Sequence, residues 1–370
     1  MELLIHCIVF ASGLAALIVG GNGLVRGASS FAQLLGISPV VVGLTVVAFG
    51  TSAPELAVSL TSGLSDYAGL ALGNVVGSNV FNILLILGVA ALIQPLRAEG
   101  QLIRFDAPIM VLSCILLTVL SLDGEISRLE GVALSVCLLV YLAITVWRVL
   151  GSKSRDDVAD PEVDGTERLE REDWMLSGIA LTLAAVTVMT SRLPVSSAGA
   201  LAAGLVIYLG FAHMSDKKGA NHLTSLMILG FAIFAVTMAA HCMVDGAVAI
   251  ARHFGVSDAV IGLTVVAAGT SLPEAVTTVA AGRQGQAGIA IGNVIGSNIF
   301  NVLCIVGITG SVVSLPVSST LLEFDFAFMV ASAALACVIL WVKSGIGRRA
   351  GLGFLACFAG YIAVQVSRVL

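Results

Sequence analysis

Gly43-Leu44-Thr45-Val46-Val47-Ala48-Phe49-Gly50-Thr51-Ser52-Ala53-Pro54-Glu55 returns 219 residues later as Gly262-Leu263-Thr264-Val265-Val266-Ala267-Ala268-Gly269-Thr270-Ser271-Leu272-Pro273-Glu274. The same offset holds without a gap from Gly43–Gly88 to Gly262–Gly307, with 26 of 46 positions identical. It can be followed as far as Phe105-Asp106 and Phe324-Asp325. The chain is therefore a duplication, with residues 1–150 and 222–370 as its two homologous halves.

The halves are apolar. Of 370 residues, 58% are hydrophobic and 11% charged, where soluble domains carry roughly 25% charge. Most apolar runs are long enough for the roughly 20 residues a helix needs to cross a bilayer, and none shows the short alternation of a membrane barrel. The pattern predicts an all-α polytopic membrane protein with about twelve spans. Five lie near 3–35, 39–63, 68–93, 105–122 and 128–150. An acidic loop, 151–173, holds nine acids and four bases and reads as a solvated linker. An extra two-helix hairpin is expected within 174–221, its spans near 174–192 and 195–214. Five more spans follow near 222–254, 258–282, 287–312, 322–342 and 348–369.

Seven spans precede the second copy, and seven is odd, so the second copy enters the membrane upside down. Two inverted five-helix repeats are an architecture of secondary transporters, which bind substrate near the midplane. Basic residues collect in cytoplasmic loops. With both termini outside, the inner loops hold fourteen of the eighteen Lys and Arg residues, so that orientation is expected. Met1-Glu2 opens without a basic region, and the first run is read as a retained span. Seven cysteines lie inside apolar runs without CxxC spacing, which predicts neither disulfides nor a zinc site.

The chemistry lies in the repeats. Pro54 and Pro273 have no N–H to give the carbonyl four residues earlier, which exposes the carbonyls of Gly50 and Gly269. Thr51 and Glu55 share a helix face at i and i+4, with Ser52 at i−3 from Glu55. Thr270, Ser271 and Glu274 repeat the arrangement. Each segment can aim a carboxylate, hydroxyls and a carbonyl at one point, the oxygen set that hard cations require. The following helix of each half carries a stripe at spacing four, Asn74, Ser78 and Asn82, then Asn293, Ser297 and Asn301. Asn79 and Asn298 stand off the stripe and are expected to tie helices together. Gly73 with Gly77, and Gly292 with Gly296, form GxxxG pairs that suit close backbone approach.

Each of these has a plainer reading. A buried glutamate can be a protonated packing group, but two at equivalent repeat positions after Thr-Ser-x-Pro are functional by default. Hydroxyls also patch broken helices. His241, whose first-half counterpart is Asn22, reads as a satisfied buried histidine. Asp106 and Asp325 stand where spans begin and read as helix caps.

The segments GLTVVAFGTSAPE with GNVVGSNVFN, and GLTVVAAGTSLPE with GNVIGSNIFN, resemble the paired alpha-repeats of the calcium/cation antiporter superfamily, which includes sodium/calcium exchangers. The resemblance implies a ten-helix core of two inverted fives, alternating access, and Ca2+ exchanged for Na+. It implies that Glu55 and Glu274 bind the cations, with Thr51, Ser52, Thr270, Ser271, Ser78, Ser297 and Asn82 completing the sites. Many such exchangers carry an aspartate at the position of Asn301, so sodium stoichiometry stays open and Ca2+/H+ exchange is the alternative. Two facing glutamates share a site where like charges raise one pKa, which suits proton carriage.

The expected partners are inorganic cations and the lipid bilayer, with no nucleic acid and no cofactor beyond the transported ions. A passive channel is less favoured, because pores are usually built from symmetric subunits around a filter. No zincin motif, nucleophile elbow or Ser-Lys pairing suggests an enzyme. Short loops suggest a prokaryotic plasma membrane.

Overall fold

A computed structural model describes residues 2–64, 68–152, 222–254 and 267–369. Eight continuous helices among them are long and apolar enough to cross a membrane: His6–Leu35, Ala71–Ile93, Leu102–Leu120, Arg128–Arg148, Leu229–His253, Ala287–Val312, Leu321–Lys343 and Arg348–Arg368. Pro39–Thr51 and Ala53–Gly63, bent by 43° at Ser52, make one more broken span. Leu272–Arg283 belongs to the expected span 258–282, whose first part lies outside the described residues. The hairpin 174–214 and nearly all of the acidic loop lie outside them too.

The chain falls into two compact units, residues 1–42 with 157–280, and 43–156 with 281–370. In the first unit, Glu2–Leu35 and His222–His253 cross through small residues. A Cβ on Gly13 would stand 2.6 Å from the Met243 nitrogen, one on Gly20 2.7 Å from the Val236 side chain, and one on Gly246 2.7 Å from the Phe10 nitrogen. Partner numbers fall along one helix as they rise along the other, so the first spans of the two halves run antiparallel.

The second unit is built around Ala287–Val312, whose most apolar stretch is wholly buried. Gly296 lets it approach the broken helix, where an added Cβ would stand 2.6 Å from the Leu44 carbonyl oxygen. The expected close approach at Gly73 and Gly77 is not found among the described residues, where a Cβ at either would meet nothing within 4 Å. Gly262–Val266, the repeat counterpart of the segment that meets Gly296, lies outside those residues. Each half's last helix packs on the other half's third span. Gly131 of Arg128–Ser152 meets Gly310, and Gly351 of Arg348–Val369 meets Gly88. These last helices carry the exposed apolar side chains Leu129, Trp147 and Leu352, as expected of a lipid-facing surface.

Two short strand pairs join the loops of the two halves. Leu96–Arg97 (β1) pairs antiparallel with Gly345–Ile346 (β4), and Glu125–Ile126 (β2) with Leu315–Pro316 (β3). One further bond extends each pair, Ala98 to the Ser344 carbonyl at 3.0 Å and Val317 to the Gly124 carbonyl at 2.9 Å. Each pair matches the loop after a third span with the loop after the other half's fourth span. Repeats inserted the same way up would put those loops on opposite membrane faces. The pairing therefore shows the halves to be inverted.

Candidate functional site

Pro54 sits in the first turn of Ala53–Gly63, where its missing N–H has no helical partner to lose. The helix restarts there and turns Glu55 inward, leaving it 1% exposed beside buried Thr51, Ser52 and Ser59. In the second unit this helix packs against Ala68–Val80 and the π-helical turn Asn301–Val306. A matching π-helical turn spans Phe81–Ile86. Such turns widen a helix by one residue and are frequent at functional sites. Here the two begin beside or at Asn82 and Asn301.

The two polar stripes meet the Glu55 segment at two points. Thr51 Oγ1 lies 3.3 Å from Asn293 Oδ1 and 3.3 Å from the Ala48 carbonyl, donating to either. Asn74 donates to Ser59 Oγ at 3.1 Å. Asn301 donates through Nδ2 to Asn79 Oδ1 at 3.0 Å. Asn298 donates to the Val294 carbonyl of its own helix at 2.7 Å. Among the described residues, only Asn79 of the two off-stripe asparagines ties helices together.

Among the described residues, Ser78 Oγ, Ser297 Oγ, Asn301 Oδ1 and both polar atoms of the Asn82 side chain are buried without a hydrogen-bond partner. A buried polar atom left this way costs about 1–3 kcal/mol, and folded proteins leave few. Four such residues on two repeat-related helices suit a ligand that oxygen atoms can hold.

In the first unit, Ala267–Thr270 and Leu272–Arg283 repeat the broken arrangement around Ser271. Gly269 faces Val244, and Gly21 faces Val276. Ser271, Pro273, Glu274, Thr277 and Thr278 are all buried, with Glu274 fully so.

Asp106 and Asp325 make no side-chain cap. Each ends a π-helical turn, Leu102–Asp106 or Leu321–Asp325, so the backbone has already been helical for a turn. Their carboxylates instead accept from tyrosines, Tyr141 at 3.1 Å and Tyr361 at 2.9 Å. His241 is satisfied but exposed, with Nδ1 2.9 Å from the Thr237 carbonyl. Ser59, overlooked in the sequence, continues the spacing of four from Thr51 and Glu55. Thr278 does so from Thr270 and Glu274.

The sodium/calcium exchanger protein family profile matches residues 5–147 and 224–367. The chain belongs to that family. This exchanger-family chain is 30% identical over 360 residues to sodium/calcium exchanger MaX1 of Methanosarcina acetivorans, covering 97% of this chain and 98% of the other. It is 31% identical to the putative antiporter CaxA of Alkalimonas amylolytica over 97% and 98% of the two chains. It is also 30% identical to inner membrane protein YrbG of Escherichia coli, over 94% of each. Its fold is similar to the sodium-calcium exchanger NCX_Mj soaked with 10 mM Na+ and zero Ca2+, with a TM-score of 0.73, 28% identity and coverage of 98% and 99%. As an exchanger it is a multi-pass membrane antiporter of inorganic cations and not an enzyme.

Proposed function

We propose that this chain exchanges Ca2+ for Na+ by alternating access, with the cations held by Glu55 and Glu274. The observation that carries the reading is the set of buried, unbonded polar atoms on Ser78, Asn82, Ser297 and Asn301, on helices packed beside the Glu55 segment. The repeat makes Glu274 the counterpart of Glu55, and the family resemblance assigns both the same role. Burying an ionised carboxylate costs several kcal/mol unless a cation accompanies it. One Ca2+ or two Na+ balance two glutamates. Thr51, Ser52, Thr270, Ser271 and the carbonyls of Gly50 and Gly269 add the neutral oxygens that such ions accept. Asn74, Asn79, Asn293, Asn298, Pro54 and Pro273 support these groups.

Asn301 carries no charge, which favours a second reading in which protons replace sodium at the same carboxylates. The strand pairs give the orientation its support. The face of β1 and β4 carries Arg97, Arg104, Lys343, Arg348 and Arg349, and that of β2 and β3 carries Arg128. The former is taken as cytoplasmic, with both termini outside a prokaryotic plasma membrane.

The test is calcium-45 uptake into proteoliposomes under an outward sodium gradient, an outward proton gradient or neither. Sodium-driven uptake lost in Glu55→Gln and Glu274→Gln is expected. Uptake driven by protons alone moves the protein to the second reading. Uptake indifferent to both gradients, or full activity in the variants, overturns the exchange mechanism.

A further inference from the structure

Asn79 and Asn301 form a cross-half bond that their repeat counterparts do not share. Asn298, the counterpart of Asn79, spends its amide on Val294 of its own helix. Asn82, the counterpart of Asn301, has neither side-chain atom bonded among the described residues. Among the described residues, one asparagine of the pair is therefore held and the other is not.

The direction of the hold follows from sulfur chemistry. Asn79 Nδ2 lies 3.6 Å from the Met329 sulfur. A thioether has no proton to give and only accepts, so the NH2 end of Asn79 belongs at Met329. That leaves Asn79 Oδ1 toward Asn301. An acceptor there can be met only by a donor, so Asn301 must turn its NH2 toward Asn79. Its Oδ1 is left without a partner among the described residues. Asn79 and Met329 are fully buried and Asn301 is 1% exposed.

We propose that Asn79, backed by Met329, is a positioning residue that presents the side-chain oxygen of Asn301, and not its amide nitrogen, to the transported cation. The inference rests on the cation-binding reading above. An amide whose nitrogen faced a cation would repel it. An amide free to turn must be oriented at each binding event, and a preset one avoids that cost. Asn301 then serves as a neutral oxygen ligand of fixed sense. Asn82 turns as the ion demands.

The test combines equilibrium calcium-45 binding to the purified protein with initial exchange rates in proteoliposomes. Asn79→Leu is expected to weaken Ca2+ binding and raise KM about three- to tenfold, the worth of one neutral hydrogen bond, with kcat changed less. Met329→Leu, close in volume, is expected to produce a smaller rise in the same direction, and it stands in for Asn79→Leu should that variant fail to fold. Asn301→Asp added to Asn79→Leu should restore KM toward the wild-type value, because a carboxylate offers an oxygen whichever way it turns. A purely structural role for Asn79 would leave Asn301→Asp the same proportional effect on KM with and without Asn79→Leu, whereas a positioning role makes that effect larger in the Asn79→Leu background. Unchanged KM in both Asn79→Leu and Met329→Leu, or no recovery with Asn301→Asp, overturns the proposal. Wild-type binding without exchange overturns only the transport reading, and no binding of Ca2+ or Na+ by the wild type overturns both.

Discussion

The Tyr361 hydroxyl donates to Asp325 at 2.9 Å, and Tyr141 donates to Asp106 at 3.1 Å in the other half. The two pairs are not equally supported. Asp325 also accepts from Gln365, whereas Asp106 Oδ2 is buried without a partner among the described residues. Losing a donor to a buried polar group costs about 1–3 kcal/mol. Tyr141→Phe should therefore lower thermal stability in detergent more than Tyr361→Phe. An equal or reversed order would show that the second acceptor bond contributes nothing.

Glu55→Gln removes charge from a buried position while keeping the shape. Any ligand that binds only the folded state raises its stability, by about 2.7 kcal/mol at a hundred times Kd. The wild type should gain thermal stability with added Ca2+, and Glu55→Gln should lose most of that gain while remaining folded without it. A full calcium-dependent shift in the variant would remove Glu55 from the site.

Two glycines on one helix separate packing from propensity. A Cβ at Gly351 would stand 2.7 Å from the Gly88 carbonyl oxygen, and one at Gly353 would meet nothing within 4 Å. Gly351→Ala should destabilise by about 1–3 kcal/mol through overpacking. Gly353→Ala should be neutral or stabilise by up to about 1 kcal/mol through helix propensity. Thermal melts of the two variants decide it, and equal effects would contradict the close crossing.

Ser344 ends its helix with φ 51° and Gly124 holds the corresponding turn of the first half with φ 96°. The left-handed region costs a residue with a side chain about 1–2 kcal/mol. Ser344→Gly should therefore raise the melting temperature without altering exchange. An unchanged or lower value would mean that the hydroxyl contributes as much as the strain removes.

Asp123 and Lys343 are both exposed, one near β2 and the other near β4. In a variant freed of native cysteines, Asp123→Cys should react with a membrane-impermeant thiol reagent added to whole cells. Lys343→Cys should react only after the membrane is opened. The opposite pattern would reverse the orientation, and labelling of both from outside would contradict the inversion.

Much of the architecture was legible because duplication writes the same physical instructions twice. Pro54 and Pro273 announced the broken helices, and the inversion was expected from seven intervening spans, two of which lie outside the described residues. Spacing of four found the stripes but not the bond between Asn79 and Asn301. That bond joins different halves, and the π-helical turns at Phe81–Ile86 and Asn301–Val306 shift register where the stripes end. Asp106 and Asp325 were misread for a related reason. A run of apolar residues marks a span's lipid-facing length, and the helix begins a turn earlier at Leu102 and Leu321. Burial of His241 depended on which face of its helix the neighbours cover, which periodicity does not reveal.

Both strand pairs join the two halves. Each clasps a loop of one half to a loop of the other, and all four strands lie outside residues 153–221. A gene divided there would make two polypeptides that still hold complementary edges on both sides of the bilayer. Such fragments, expressed together, have the means to find one another and reassemble. The fused chain would then be a convenience of synthesis for two partners that recognise each other without it.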